Sequence, residues 1–393
     1  MNGFKFYLPS RIIFEKGVLS RIGEFVSQFG KKCFLMTGKN FARKHGYTDY
    51  ILEKISNCEL QAFLFEEVEP NPTKETVLRA LDTFSNKECD VIIAFGGGSV
   101  IDAAKVVALV SKIGGRIEDY FFPNLVEKET YPVIAIPTTC GTGSEVTKYS
   151  IITDKDTGLK NAIAGDTLIP RVALLDVNTL KHISKEVLSN TSADVFCHAI
   201  EAFVNVRHTP FSDLYAQEAI KIAFENVVDA YKGIEHGKEC MLYASCLAGM
   251  AINFSGSTAV HALGYYLTSK HGIPHGLASA LFLLPVLEYE QDSILDRIHE
   301  LAYAMRLRQT DFEYFINALR QKFHEIGIAR FLLDLGVGYE EKERIIKETL
   351  LFKRNLDNNP MKLEAKDLKK IVEAAYTGKW KIEEIDNDGS QEN

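Results

Sequence analysis

The stretch VIIAFGGGSVIDAAKVVALV, residues 91–110, decides the fold. A continuous apolar run meets three consecutive glycines and then continues as a helical segment. Such a run, bounded by glycine, reads as a strand buried on both faces. A glycine turn leading from a strand into a helix is where open α/β sheets meet ligands, at the carboxyl ends of their strands. Lacking Cβ atoms, Gly96, Gly97 and Gly98 let the backbone come close to a phosphate, whose charge then faces the free N–H groups and positive dipole of the helix start. Ser99 and Asp102 have the spacing of a capping box, with Asp in place of Glu or Gln. The turn is not Gly-x-Gly-x-x-Gly, because Ile101 stands in the last position, and no Gly-Lys-Ser/Thr follows to make a Walker loop. A nucleotide here is held in another way, or the turn is a plain connection.

Working outward, the runs KKCFLMTG (31–38), YPVIAIPTT (131–139) and PRVALLDV (170–177) repeat the pattern and alternate with helical segments up to about residue 180. This alternation predicts βαβ units in a doubly wound, mostly parallel α/β domain. The loop IPTTCGTGSEVT (136–147) concentrates threonines, a serine and two glycines at the end of one such strand. Hydroxyls and backbone N–H groups this dense suit hydrogen bonding to phosphate and ribose, so two loops of this kind favour a dinucleotide site. From Lys185 the texture changes to 3.6-residue periodicity, as in FSDLYAQEAIKIAFENVVDAY (211–231) and CMLYASCLAGMAINF (240–254). The expectation is an α/β domain over residues 1–183, an all-helical domain over 184–393, and a polar tail, IEEIDNDGSQEN (382–393), outside the fold.

A chain of 393 residues can bury two cores with a cleft between them. Its net charge of −8, from 53 acidic and 45 basic residues, provides no basic face for nucleic acid. Lys5, Pro9, Arg11, Glu15 and Lys16 interrupt the apolar residues of the N-terminus, so it reads as neither a signal-peptide core nor a targeting helix. No run approaches the roughly 18 apolar residues of a membrane span. Seven cysteines without a C-x-x-C pair suit a reducing, cytoplasmic setting.

SADVFCHAIEAF (192–203) sets Asp194 and His198 one helical turn apart on one face. Asp194, His198, Glu201 and Asn205 would form a solvated stripe if the helix were exposed, yet residues 186–206 contain no Lys or Arg. The helix therefore reads as buried, and a buried Asp and His need partners that a metal can supply. His261 lies in a helix rich in small residues, STAVHALGYYL, and His275 stands where the turn KHGIPHG enters an apolar helix. One carboxylate and three imidazoles suit Fe²⁺ or Zn²⁺ and leave room for a substrate oxygen.

In this order, FGGGSVIDAAK, PTTCGTGSEVT, SADVFCHAIEAF, the HALGYYL and IPHG segments and NNP near residue 359 resemble the iron-containing, or group III, alcohol dehydrogenases, over nearly all of residues 4–376. The resemblance implies an α/β dinucleotide domain followed by a helical metal domain. It implies a metal held by Asp194, His198, His261 and His275. It places pyrophosphate on Gly97, Gly98 and Ser99 near Asp102, with Asn71, Thr138, Thr139, Thr142, Thr147 and Lys160 around the rest of the cofactor. Where some relatives carry a proton-relay histidine four residues after the third ligand, this chain has Tyr265, which makes His271 the candidate catalytic histidine. Cys140 stands where many relatives have Ala and reads as packing. NAD-preferring members often carry Asp at the end of the first cofactor-domain strand; here Gly38 stands there with Lys39, Arg43 and Lys44 nearby, which predicts NADP(H) over NAD(H). Ile151 and Ile252 match pocket-lining positions and suggest an apolar wall for small primary alcohols and aldehydes without a charged group. The expected activity is that of a metal-dependent alcohol dehydrogenase or aldehyde reductase; a homo-oligomer is compatible with the sequence. Glycerol dehydrogenase-like oxidation and a dehydroquinate synthase-like lyase are the alternatives. The lyase needs Lys and Arg near the metal, and the helices bearing Asp194 and His261 are poor in both.

Overall fold

The computed structural model describes residues 3–155, 159–329 and 331–377; the polar segment 382–393 lies outside them. The four runs read as strands become β2 (Lys32–Gly38), β4 (Val91–Gly96), β5 (Val133–Pro137) and β8 (Val172–Leu175). With β1 (Arg11–Phe14) and β3 (Gln61–Val68) they form a six-stranded sheet in the order β1-β8-β5-β4-β2-β3, parallel at every pairing. The sequence reading passed over β1 and β3 for a physical reason. As edge strands they are only partly covered, so neither is the continuous apolar run that marks a doubly buried strand.

Period-two alternation builds a core on each face. Cys33, Leu35, Val91 and Ile93 pack with Val18, Ile51 and Ile55 on one side, while Phe34, Met36, Ile92 and Ala94 pack with Ala104 and Val107 on the other. The chain leaves β2 for the edge strand β3 and then crosses back to β4 on the other side of β2. That reversal opens a crevice between the carboxyl ends of β2 and β4, at Gly38 and Gly96.

The helix after β4 spans Gly98–Ile113 and is capped by Gly97 in an extended conformation. Ser99 therefore lies inside the first turn, and the capping box expected of Ser99 and Asp102 does not form. The Asp102 carboxylate instead accepts from Ser144 Oγ at 2.5 Å and from the Ile151 backbone N–H at 2.9 Å. A second unexpected element is an antiparallel hairpin, β6 (Tyr149–Asp154) and β7 (Leu159–Ala164). Every other side chain of β6 is buried, and the hairpin contacts both the Gly98–Ile113 helix and the Ala259–His271 helix.

After Leu175 the described residues contain helices and no strand. The principal helices are Lys185–Val204, Pro210–Tyr231, Glu235–Ser255, Ala259–His271 and His275–Tyr289. Local signals set their starts: Thr209 Oγ1 accepts from Ser212 N at 3.1 Å, and Pro210 occupies the first helical position, where a missing N–H costs nothing. In the Lys185–Val204 helix every residue from Ser192 onward is buried, which accounts for the absence of Lys and Arg there.

The loop after β5 meets the helical half backbone to backbone. Gly143 has φ +59°, and a Cβ on Gly249 would lie 2.7 Å from the Gly143 Cα. Gly249→Ala must therefore push the two chains apart. The expected cost is about 1–3 kcal/mol, as for other overpacked sites, seen as a lowered midpoint in thermal unfolding.

Candidate active site

Four side chains converge from three helices. Asp194 and His198 come from Lys185–Val204, His261 from Ala259–His271, and His275 is the first residue of His275–Tyr289. One ligand atom of each lies within 4.8 Å of all the others. Small residues permit this convergence: a Cβ on Gly276 would fall 2.9 Å from the Asp194 Cβ and closer still to the Asn190 carbonyl, so only glycine lets that helix start so near.

Asp194 Oδ1 and His261 Nε2 are buried and 3.6 Å apart, and neither has a hydrogen-bond partner; His275 Nδ1 is likewise buried without one. Buried polar atoms without partners are costly, and these aim at a common point. A divalent cation is the partner that this donor set fits: one carboxylate, three imidazoles, all at coordination-compatible separations. Charges in the cluster follow its burial. Desolvation opposes the Asp194 carboxylate, but His198, His275 and His261 outweigh it and hold its pKa below the usual range. Burial pushes His275 down to about 3, which keeps its imidazole neutral and able to donate a lone pair. His261 is raised to about 10 because Glu201 and Asp194 overcome desolvation.

Glu201 is a residue whose role sequence reasoning did not assign. Its Oε2 is hydrogen-bonded to His261 Nδ1, while its Oε1 accepts from Thr258 N at 2.8 Å and Thr258 Oγ1 at 2.7 Å. A carboxylate on Nδ1 fixes the tautomer and turns Nε2 toward the cluster. The available signal was its position one turn beyond His198 in a stretch, residues 186–206, with no Lys or Arg.

His198, His261 and His275 open onto a cavity of about 520 Å³ that also reaches Gly98, Ser99, Asp102, Thr142, Thr147, Asn71 and Lys160. Metal cluster and glycine turn thus share one cleft. Asn71, in the left-handed region at φ 55°, donates its N–H to Ser99 Oγ at 3.1 Å and accepts from Lys160 Nζ at 2.8 Å. Burial lowers Lys160 to about 8 despite the opposing pull of Asp102 and Asp194. Gly97 lies against Thr139, and Thr138 is buried at the end of β5. Ile151 and Ile252 both face the cavity. At the far end of the crevice, Lys39 is exposed beside Gly38, whereas Arg43 is engaged by Glu66 at 2.7 Å and by Asp49 at 2.5 Å. Arg43 therefore offers less free charge than its position suggested.

His271 is not brought to the site. It is the exposed last residue of its helix, with Nε2 2.8 Å from Glu341 Oε2, and it does not line the cavity. The reading failed because ten residues along a helix place His271 almost three turns from His261. Tyr265 does line the cavity, its ring stacked on His275 at 5.9 Å, and burial raises its phenol to about 12. Cys140 is fully buried against Thr191 and Ser192 with its thiol pushed up to about 11, as expected of packing.

A glycine turn at a strand end and a four-donor cluster that fits a divalent ion share one cleft, the arrangement of metal-dependent enzymes that use a dinucleotide. Comparison with known proteins narrows it. Residues 9–177 match the family described as iron-containing alcohol dehydrogenase, and residues 189–376 match the C-terminal region of the same family. The chain is 32% identical over 386 residues to the NADPH-dependent butanol dehydrogenase of Clostridium saccharobutylicum, covering 95% of this chain and 98% of that one. It is 29% identical to the NAD-dependent methanol dehydrogenase of Bacillus methanolicus, covering 94% and 99%. The crystal structure of a 1,3-propanediol oxidoreductase superposes with a TM-score of 0.91 at 29% identity, over 95% of this chain and 100% of that one. The protein belongs to the iron-containing alcohol dehydrogenase family. No helix among the described residues is long and apolar enough to cross a membrane.

Neutralising the carboxylate bonded to His261 tests the cluster. Glu201→Gln should weaken metal binding about 10- to 100-fold, the usual effect of losing such a partner, as read by competition with a chromophoric chelator.

Proposed function

We propose that the protein is an alcohol dehydrogenase or aldehyde reductase that prefers NADP(H) and acts on small primary alcohols and aldehydes. The observation that carries this reading is the single cleft joining the Asp194, His198, His261 and His275 cluster to the Gly97–Gly98–Ser99 turn. In it the 1–183 segment binds the dinucleotide and the 184–393 segment the metal.

A divalent ion at the four donors supplies a Lewis acid for the substrate oxygen. The protein does the rest by alignment. The glycine turn and the Thr138–Thr147 loop would hold pyrophosphate and ribose, and Lys160, bonded to Asn71, lines the same cavity as the four donors. Ile151 and Ile252 give the cavity an apolar wall that would keep water from the substrate, and a bound nicotinamide would supply the hydride chemistry there. His271 has no part in this reading, and the proton leaves through water or the ribose hydroxyl.

Support for NADP(H) is the absence of a carboxylate at Gly38 together with the exposed Lys39 and Lys44; the two relatives above, one NADPH-dependent and one NAD-dependent, differ on this point. The seven cysteines, all free thiols, support a cytoplasmic setting.

The direct test is the initial rate of NADPH and NADH oxidation with butanal, using metal-stripped protein reloaded with Fe²⁺, Zn²⁺ or nothing. Turnover should require metal and be faster with NADPH; metal-independent turnover would overturn the four-donor reading. Gly38→Asp should move the kcat/KM ratio of NADPH to NADH toward NADH by about tenfold or more, since a carboxylate there repels a 2′-phosphate.

A further inference from the structure

The apolar wall of the cavity carries a cation. Arg354, in the short helix Lys353–Asp357, lines the cavity together with Phe122, Tyr149, Ile151, Ile252 and Phe352. Its guanidinium lies 4.9 Å from the Phe122 ring and 5.1 Å from the Tyr149 ring, and it donates to Tyr149 Oη at 2.7 Å. Two aromatic faces and one hydrogen bond hold it in place. Among the described residues no carboxylate lies within ion-pair distance of it, although the surface arginines Arg43, Arg79, Arg297 and Arg320 each have one. A guanidinium has five N–H donors in a planar fork, and only one is used here by a described residue.

The other charges of the cavity divide by location, with Lys353, next to Arg354, exposed at its mouth. Lys160 is bonded to Asn71 beside the glycine turn, on the cofactor side. Asp102 is occupied by Ser144 and Ile151 and lies 3.8 Å from Lys105. Arg354 is on the substrate side: Phe352, two residues before it, packs on Tyr265 at 4.9 Å, and Tyr265 stacks on His275. Arg354 is half-buried, and the guanidinium donors left free beside the cavity suit a planar anion such as a carboxylate.

Building on the dehydrogenase reading above, we propose that the substrate is an aldehyde or alcohol bearing a carboxylate at the end remote from the reacting carbon. Arg354 binds that carboxylate while Ile151, Ile252 and Phe352 cover the short carbon chain between. For the four-carbon case, 4-oxobutanoate, NADPH and one proton give 4-hydroxybutanoate and NADP⁺; hydride goes to the carbonyl carbon and the proton to its oxygen. The carboxylate does not react. It replaces the uncharged substrate that the apolar wall alone suggested.

The test compares 4-oxobutanoate with butanal in the metal-loaded enzyme, with NADPH and with wild type, Arg354→Met and Arg354→Lys. Wild type should favour 4-oxobutanoate in kcat/KM by at least about tenfold, and Arg354→Met should lower that ratio by about 100-fold, mainly through KM, as expected for loss of a charge-assisted contact. Arg354→Lys should recover part of the ratio, because it keeps the charge without the fork. Equal use of the two aldehydes by wild type, or a ratio unchanged in Arg354→Met, would overturn the proposal and leave the dehydrogenase reading standing. A rise confined to the KM for NADPH would assign Arg354 to a cofactor phosphate and equally overturn it. If metal-loaded wild type reduces neither aldehyde, the dehydrogenase reading falls and takes the proposal with it.

Discussion

A buried ammonium organises the cleft. Lys105, 1% exposed, lies beneath the glycine turn and donates to Ser144 Oγ at 2.9 Å and to the carbonyls of Thr147 and Tyr149 at 2.9 and 2.7 Å. It thereby joins the Gly98–Ile113 helix to the threonine-rich loop and to the start of β6. Burial lowers it to about 8, with Asp102 and Glu145 opposing, so it is a cation held by oxygen ligands in a medium that disfavours it. Fully satisfied polar networks of this kind specify one arrangement, because every alternative strands a donor. Asp102, instead of capping its own helix, is recruited to this network.

The metal cluster is built on a different logic. The Lys105 ammonium finds its oxygen partners within the protein, whereas Asp194 Oδ1, His261 Nε2 and His275 Nδ1 remain without partners. Around them the support is thorough: Glu201 fixes His261, Asn359 accepts from the Ala259 backbone N–H, and Asn359 Nδ2 in turn is bonded to Glu290. A rigid second layer around an unsatisfied inner one is how a fold holds ligand atoms in geometry before an ion arrives.

How much of this was legible follows from what each residue needs. The doubly buried strands and the 186–206 stretch without Lys or Arg were readable because burial on all sides excludes charge. The convergence of Asp194, His198, His261 and His275 was foreshadowed by helical spacing and chemistry, with resemblance completing the set. Lys105 was not, since a lone lysine in a helix ordinarily marks the solvent side; the hint was its setting between Ala103, Ala104, Val106 and Val107, which leaves no polar face for it to mark. His271 misled for the opposite reason: its nearness in sequence to His275 meant nothing across a helix end. Arg354 was out of reach, because neither its pattern nor its spacing reveals that a five-residue helix distant in sequence closes the cavity.

The two kinds of functional residue also differ in what carries them. The donors sit on long helices buried on nearly every side, whose amide hydrogens should exchange with solvent only when the whole molecule opens. Phe122 and Arg354 sit on short, partly exposed segments at the rim, the part of a fold that tolerates change most readily. Chemistry and choice of substrate thus rest on separate foundations. A lineage built on this scaffold can change what it accepts by altering the rim while the reaction beneath it stays as it was.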